Sequence, residues 1–134
     1  MISFGTVQPH EVEAAWSWVN PFLSDLEKTN PGWDSTDVFL ALVRREAQCW
    51  FIAEHGKPVG IVITKLGKVN DTPSGLLWIA SGNALQAGIG LLTDHIEPWF
   101  REMGCKFVEI NGRKGWSKVL DGYRETTRVF VKEL

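Results

Sequence analysis

The chain is short of the residues on which several kinds of chemistry depend. It has one tyrosine, Tyr123, three histidines and two cysteines among 134 residues. Cys49 and Cys105 fit no metal-ligand spacing, and no metal site is expected. Each cysteine opens an apolar, strand-like run (CWFIA and CKFVEI), the setting of a buried thiol that packs as a small hydrophobe. His10, His55 and His95 make no recognisable partner pattern with either thiol, which argues against a cysteine nucleophile. No apolar run approaches the roughly 18 residues that a membrane-crossing helix needs. The stretch MISFGTVQPHE has no basic region followed by an apolar core, so it does not read as a signal peptide, and the expected site of action is the cytoplasm. An excess of one charge is also missing. Fourteen basic residues against 16 acidic ones give a net charge of −2, too little to gather nucleic acid or anionic lipid.

What is present is ordinary for a soluble globular protein: 44% apolar and 22% charged residues. A chain of this length reads as one domain, residues 1–134, able to bury roughly two-thirds of its unfolded surface without a disulfide or metal staple. The exception is tryptophan, with seven copies. Some must fill the core, and a surplus could line a groove or meet a partner.

Along the chain, 2–7 reads as a strand, and Pro9 suits the first turn of a helix. Val12, Trp16, Val19, Leu23 and Leu26 then recur at helical spacing, with Pro21 expected to kink or split the helix. Residues 29–33 (TNPGW) break the pattern. Asp34 or Ser35 can cap a second helix over 36–47, with Phe39, Leu42, Val43 and Ala47 on its apolar face. Strands over 50–54, 59–65 and 76–80 follow as an antiparallel meander, joined by a turn at 55–58 and a longer polar turn at 67–75. SGNALQAGIG leads into a third helix, whose stripe is Leu92, Ile96, Trp99, Phe100 and Met103. Pro98 implies a kink or late start, and Gly104 is placed to end the helix. The remainder reads as a strand over 105–110, a loop, a short helix over 116–121 and a last strand over 126–132.

That order, β-α-α-β-β-β-α-β-α-β, with WSKVLDGYRE (116–125) and AEHGKPVGIVI (53–63), resembles the GNAT N-acetyltransferase superfamily across essentially the whole chain. NGRKGWSKVLDGY is similar to GNAT-like proteins encoded by bacteriophages. The resemblance implies an α+β, GNAT-like (acyl-CoA N-acyltransferase) fold, a mixed central sheet with helices on both faces. It also implies a cleft where strands 76–80 and 105–110 part, occupied by acetyl-CoA. Ile79, Ala80, Ser81, Gln86, Gly88, Ile89, Gly90, Leu91, Asn111 and Arg113 are the positions expected to hold that coenzyme, its diphosphate on main-chain N–H groups at a helix start. Glu54 and Glu109 are the carboxylates expected within reach as a base, and Ser117 or water is left to return a proton to the thiolate.

The match has departures. Leu85 stands where the family commonly has Gln or Arg, with Gln86 one step late, and Lys118 stands at the place of the usual proton-donating tyrosine. Two readings follow. One is an acetyl-CoA-dependent N-acetyltransferase with an amine acceptor. The other is a non-catalytic GNAT-like module, a binding or virion protein whose cleft is filled by Trp78, Trp99 or Trp116. A homo-oligomer is compatible with both.

Overall fold

The computed structural model describes residues 1–28, 32–82 and 85–110. The short helix expected over 116–121, the strand over 126–132 and the positions Asn111, Arg113, Trp116, Ser117 and Tyr123 lie outside them.

Strand β1 (Ile2–Val7) runs into a single turn, Pro9–Glu11, where the Gln8 amide donates to Glu11 Oε1 at 2.9 Å. Helix α1 (Val12–Glu27) continues through Pro21 as one helix, so the proline does not split it. Proline removes one helical donor, which would have bonded to the Ser17 carbonyl. Pro21 and Ser17 are both exposed, so water can satisfy that carbonyl. Helix α2 (Ser35–Val43) is shorter than the sequence suggests. Its start is secured twice: Asp34 Oδ1 accepts from the Asp37 amide at 2.9 Å, and Asp37 Oδ2 accepts from the Asp34 amide at 3.0 Å. Its end comes at Arg45, in the left-handed region (φ 63°), with the Glu46 amide donating back to Ala41 O at 2.8 Å. The buried face is Val38, Ala41 and Leu42; Val43 is exposed, and Ala47 is buried beyond the helix.

Strands β2 (Gln48–Glu54), β3 (Lys57–Val69) and β4 (Thr72–Gly82) form the antiparallel meander and are longer than expected. The polar stretch 67–75 is a tight hairpin rather than a long turn. Asn70 and Asp71 both adopt positive φ (49° and 67°), as do His55 and Gly56 in the preceding hairpin, the conformation whose twist suits two-residue connections. The chain then crosses over in one continuous helical run: α3 (Leu85–Leu91), a wide π turn (Leu92–Ile96) and α4 (Glu97–Glu102). The π turn answers Pro98. Its extra residue, marked by the Glu97 amide donating to Leu92 O, leaves the proline in the first turn of α4, where a missing donor costs nothing. Gly104 (φ 84°) ends the helix, with the Cys105 amide donating to Phe100 O at 2.9 Å. Leu92, Ile96 and Phe100 are buried as expected, whereas Met103 is exposed. β5 (Phe107–Ile110) then pairs parallel to β4, and the sheet order is β1-β2-β3-β4-β5.

Alternation along the strands fills a core on each face of the sheet. Cys49, Ile61, Ile63 and Ile79 pack under α1 and α2; Trp50, Ile52, Val62 and Leu77 pack under α3, the π turn and α4. Between Leu77 and Ile79 the alternation slips. Thr64 pairs with Leu77 and Ile63 with Ile79, so Trp78 is an extra residue, a β-bulge that sends two residues of like spacing to opposite cores. The fold is the mixed α+β architecture with helices on both faces expected from the sequence.

Candidate active site

The site begins at the Trp78 bulge. β4 and β5 pair from Ser74 with Phe107 to Leu77 with Ile110. Past that point, Ile79 to Gly82 pair with β3 on one side and, among the described residues, with no strand on the other. Among the described residues, the main chain there has no strand partner for its N–H and C=O groups on that side, next to the start of α3. The side chains turn away. Ile79 is buried beneath α1 and α2, Ala80 packs toward α3, and Ser81 Oγ donates to Phe22 O at 2.6 Å. What Ile79, Ala80 and Ser81 can offer a molecule in the sheet plane is therefore backbone. Gly82, the exit from the sheet, has φ 129°, and a Cβ there would stand 2.4 Å from Val59 O, so only glycine fits.

α3 starts at Leu85, earlier than the glycines suggest. In an α-helix the amides of the first residues, here Leu85, Gln86 and Ala87, have no partner within the helix, while those of Ile89 to Leu91 belong to its body. Gln86 is exposed and Leu91 buried. No acidic residue sits in the first turn to offset the positive end of the helix. Among the described residues, a Cβ on Gly88 would meet Ile52 Cδ1 at 3.9 Å, and one on Gly90 Phe4 Cζ at 3.8 Å, both ordinary contacts.

The two candidate carboxylates are far apart in the sheet. Glu54 is exposed at the end of β2, opposite Lys57 and two strands from β4. Glu109 is exposed on β5, opposite Leu76 and one residue before the last described β4–β5 pair. Because Val108 and Ile110 pack toward α4, Glu109 faces the α1/α2 side.

An aromatic cluster on that side escaped the sequence reading. The Lys65 ammonium sits 3.5 Å from the centroid of the Trp78 ring, and Trp33, just before α2, meets Trp78 edge-on with centroids 6.4 Å apart. Lys65 pairs with Leu76, so it reaches Trp78 diagonally, a contact visible only once the hairpin register is known. The other described tryptophans are also engaged: Trp16 with Phe39, Trp18 with Phe51, and Trp50 with Trp99. Trp50 Nε1 also donates to Thr64 Oγ1 at 3.0 Å. A separate open groove of about 270 Å³ lies between α1 and α2, lined among the described residues by Trp16, Ser35, Thr36 and Phe39. Burial pushes the Cys49 thiol up to about 12 and also raises that of Cys105, so neither is a ready thiolate.

Solved structures that superpose on this chain include acetyltransferases. An aminoglycoside acetyltransferase from an uncultured soil metagenomic sample, in complex with sisomicin, superposes with a TM-score of 0.72 at 14% identity, covering 99% of this chain and 96% of the other. A ribosomal-protein-alanine N-acetyltransferase from Brucella melitensis gives 0.69 at 14% identity over 100% and 99% of the two chains. A GNAT family acetyltransferase from Staphylococcus aureus gives 0.69 at 16%, covering 99% and 98%. No family model matches the sequence, and no curated protein matches it. At these identities the likeness defines the fold, which is that of the GNAT acetyltransferases. Among the described residues, no helix is long and apolar enough to cross a membrane.

Proposed function

We propose that this chain is an acetyl-CoA-dependent N-acetyltransferase acting on an amine in the cytoplasm. The observation that carries the reading is a conjunction at one end of the sheet. The β4 main chain lacks a described partner on its β5 side past Leu77, and a helix with no acidic residue in its first turn starts just beyond it. These features fit the coenzyme. The amides of Leu85 to Ala87 would take its diphosphate, with Gln86, Gly88, Ile89, Gly90 and Leu91 shaping the turn beneath it. The β4 backbone from Ile79 to Ser81 would hydrogen-bond its amide-bearing arm, and Asn111 and Arg113, next in sequence after β5, would extend the binding set.

Acetyl-CoA supplies a thioester carbonyl. The amine forms a C–N bond to it as the C–S bond breaks; the amine gives up a proton and the thiolate gains one. A backbone N–H at the bulge is suited to polarise the carbonyl. Glu109 is the better placed of the two carboxylates to accept the proton, directly or through water, because it lies on β5 beside the last described pair, whereas Glu54 is two strands from β4. Ser117 or water would protonate the thiolate, with Lys118 at the usual tyrosine position.

The test is a thermal melt with and without millimolar acetyl-CoA, followed by assay of free thiol release with simple amines. Coenzyme at about 100 times its dissociation constant adds roughly 2.7 kcal/mol of stability. No shift would overturn the reading in favour of a non-catalytic, phage-like binding or virion module. A shift without thiol release would retain coenzyme binding and remove the transfer step.

A further inference from the structure

Among the described residues, strand β1 closes one edge of the sheet, and its own sequence carries none of the devices that keep edges apart. Its sequence, ISFGTV, contains no charge and no proline, and its six residues pair with β2 in unbroken register from Ile2–Glu54 to Val7–Cys49. Ile2 is 42% exposed, and no described strand lies on its outer side.

The direction of the outer hydrogen-bonding groups follows from one bond. The His55 amide donates to Met1 O at 3.1 Å, which places Met1 in a hydrogen-bonded pair with β2. Along an antiparallel ladder such pairs alternate, so Ser3, Gly5 and Val7 also turn their N–H and C=O groups inward. Ile2, Phe4 and Thr6 turn theirs outward.

We infer that β1 pairs antiparallel with β1 of a second copy of this chain, about a two-fold axis at Phe4 and perpendicular to the sheet. That axis sets Phe4 opposite Phe4 of the other copy and Ile2 opposite Thr6. Every outward N–H and C=O of the three residues then finds a partner, and paired side chains share a face, as an antiparallel ladder requires. A shift of the axis by one residue toward Thr6 would call on Gln8, whose amide is already donated to Glu11 Oε1 at 2.9 Å. A shift the other way leaves Thr6 unpaired. The self-match in register, with no charge to repel a copy of itself, favours a second copy over an unrelated extended peptide. The result is one sheet continuous through both protomers, with the acetyl-transfer cleft proposed above at β4 and β5, away from the joint.

Sedimentation velocity on the full chain, over a concentration series, is the test. The expected result is a species of twice the monomer mass. Thr6→Pro removes an outward donor without touching the β2 ladder, and should weaken the dimer at least tenfold while leaving far-ultraviolet circular dichroism and the thermal melt of a folded protein. Should that variant fail to fold, Thr6→Lys serves the same purpose. Adding Ile2→Glu to Thr6→Lys places opposite charges across the inferred register, and the dimer should return. A monomer at all concentrations would overturn the proposal. So would a dimer indifferent to Thr6→Pro and Thr6→Lys, or monomers that bind an extended peptide along β1 instead. A double variant no tighter than Thr6→Lys alone would overturn the register.

Discussion

Gly82, Gly88 and Gly90 are alike on paper and differ in what the backbone asks of them. Gly82 has a conformation and a neighbour that exclude a side chain, so Gly82→Ala should lower stability by more than about 1 kcal/mol. Gly88 and Gly90 lie within α3 with room for a methyl group, and Gly88→Ala or Gly90→Ala should raise stability by roughly 0.4–1 kcal/mol. Chemical denaturation of the three variants would read both signs. Cys49 gives a pH signature of its own. Its thiol keeps its proton in the fold up to about 12, against 9.0 as the ordinary value. The unfolded chain gives up that proton first, so the contribution is complete below pH 9 and is lost as pH rises toward 12, by about 1.4 kcal/mol per pH unit. Cys49→Ala should flatten this alkaline slope in denaturant titrations. Of the two candidate carboxylates, the proposed base Glu109 is the one whose loss should matter: Glu109→Gln should lower kcat by about 100-fold and Glu54→Gln should leave it unchanged, in the thiol-release assay.

At the scale of elements, legibility followed local chemistry. The Asp34 cap, the Gly104 stop and the helix face of Val12, Val19 and Leu23 were readable because each signal is carried by neighbours in sequence. The hairpin at Asn70-Asp71 was missed because the flanking polar residues, Gly67, Lys68 and Pro73, are exposed and imitate a loop. The early start of α3 was hidden by its glycines, and the offset face of α2 by the stop at Arg45. Asp71 carries a left-handed conformation that glycine adopts freely, so Asp71→Gly should raise stability by about 1 kcal/mol. Asp34→Ala should cost about 0.5–2 kcal/mol through loss of its side-chain bond to the Asp37 amide. Thermal melts would measure both.

For the whole molecule, the architecture was legible through a resemblance that the order of elements carried, and the described residues show the mixed sheet with helices on both faces that it implied. The site was less open to reading. Its candidate residues came from resemblance, and their placement depends on which way side chains point past Trp78 and on a diagonal contact between Lys65 and Trp78, neither of which sequence spacing encodes. The pairing of the described tryptophans inside the fold also accounts for a composition that, by itself, suggested a binding groove.

The extra residue at Trp78 works like a frameshift in the inside-outside code of β4. Upstream and downstream halves of the strand are each in phase with their own neighbours and out of phase with one another. Truncating the side chain, as in Trp78→Ala, leaves that phase intact. Excising the residue would present Ile79 and Ser81 to the wrong layer and strip Phe22 O of its hydroxyl contact, turning a loss of one indole into a strand whose two ends demand incompatible surroundings.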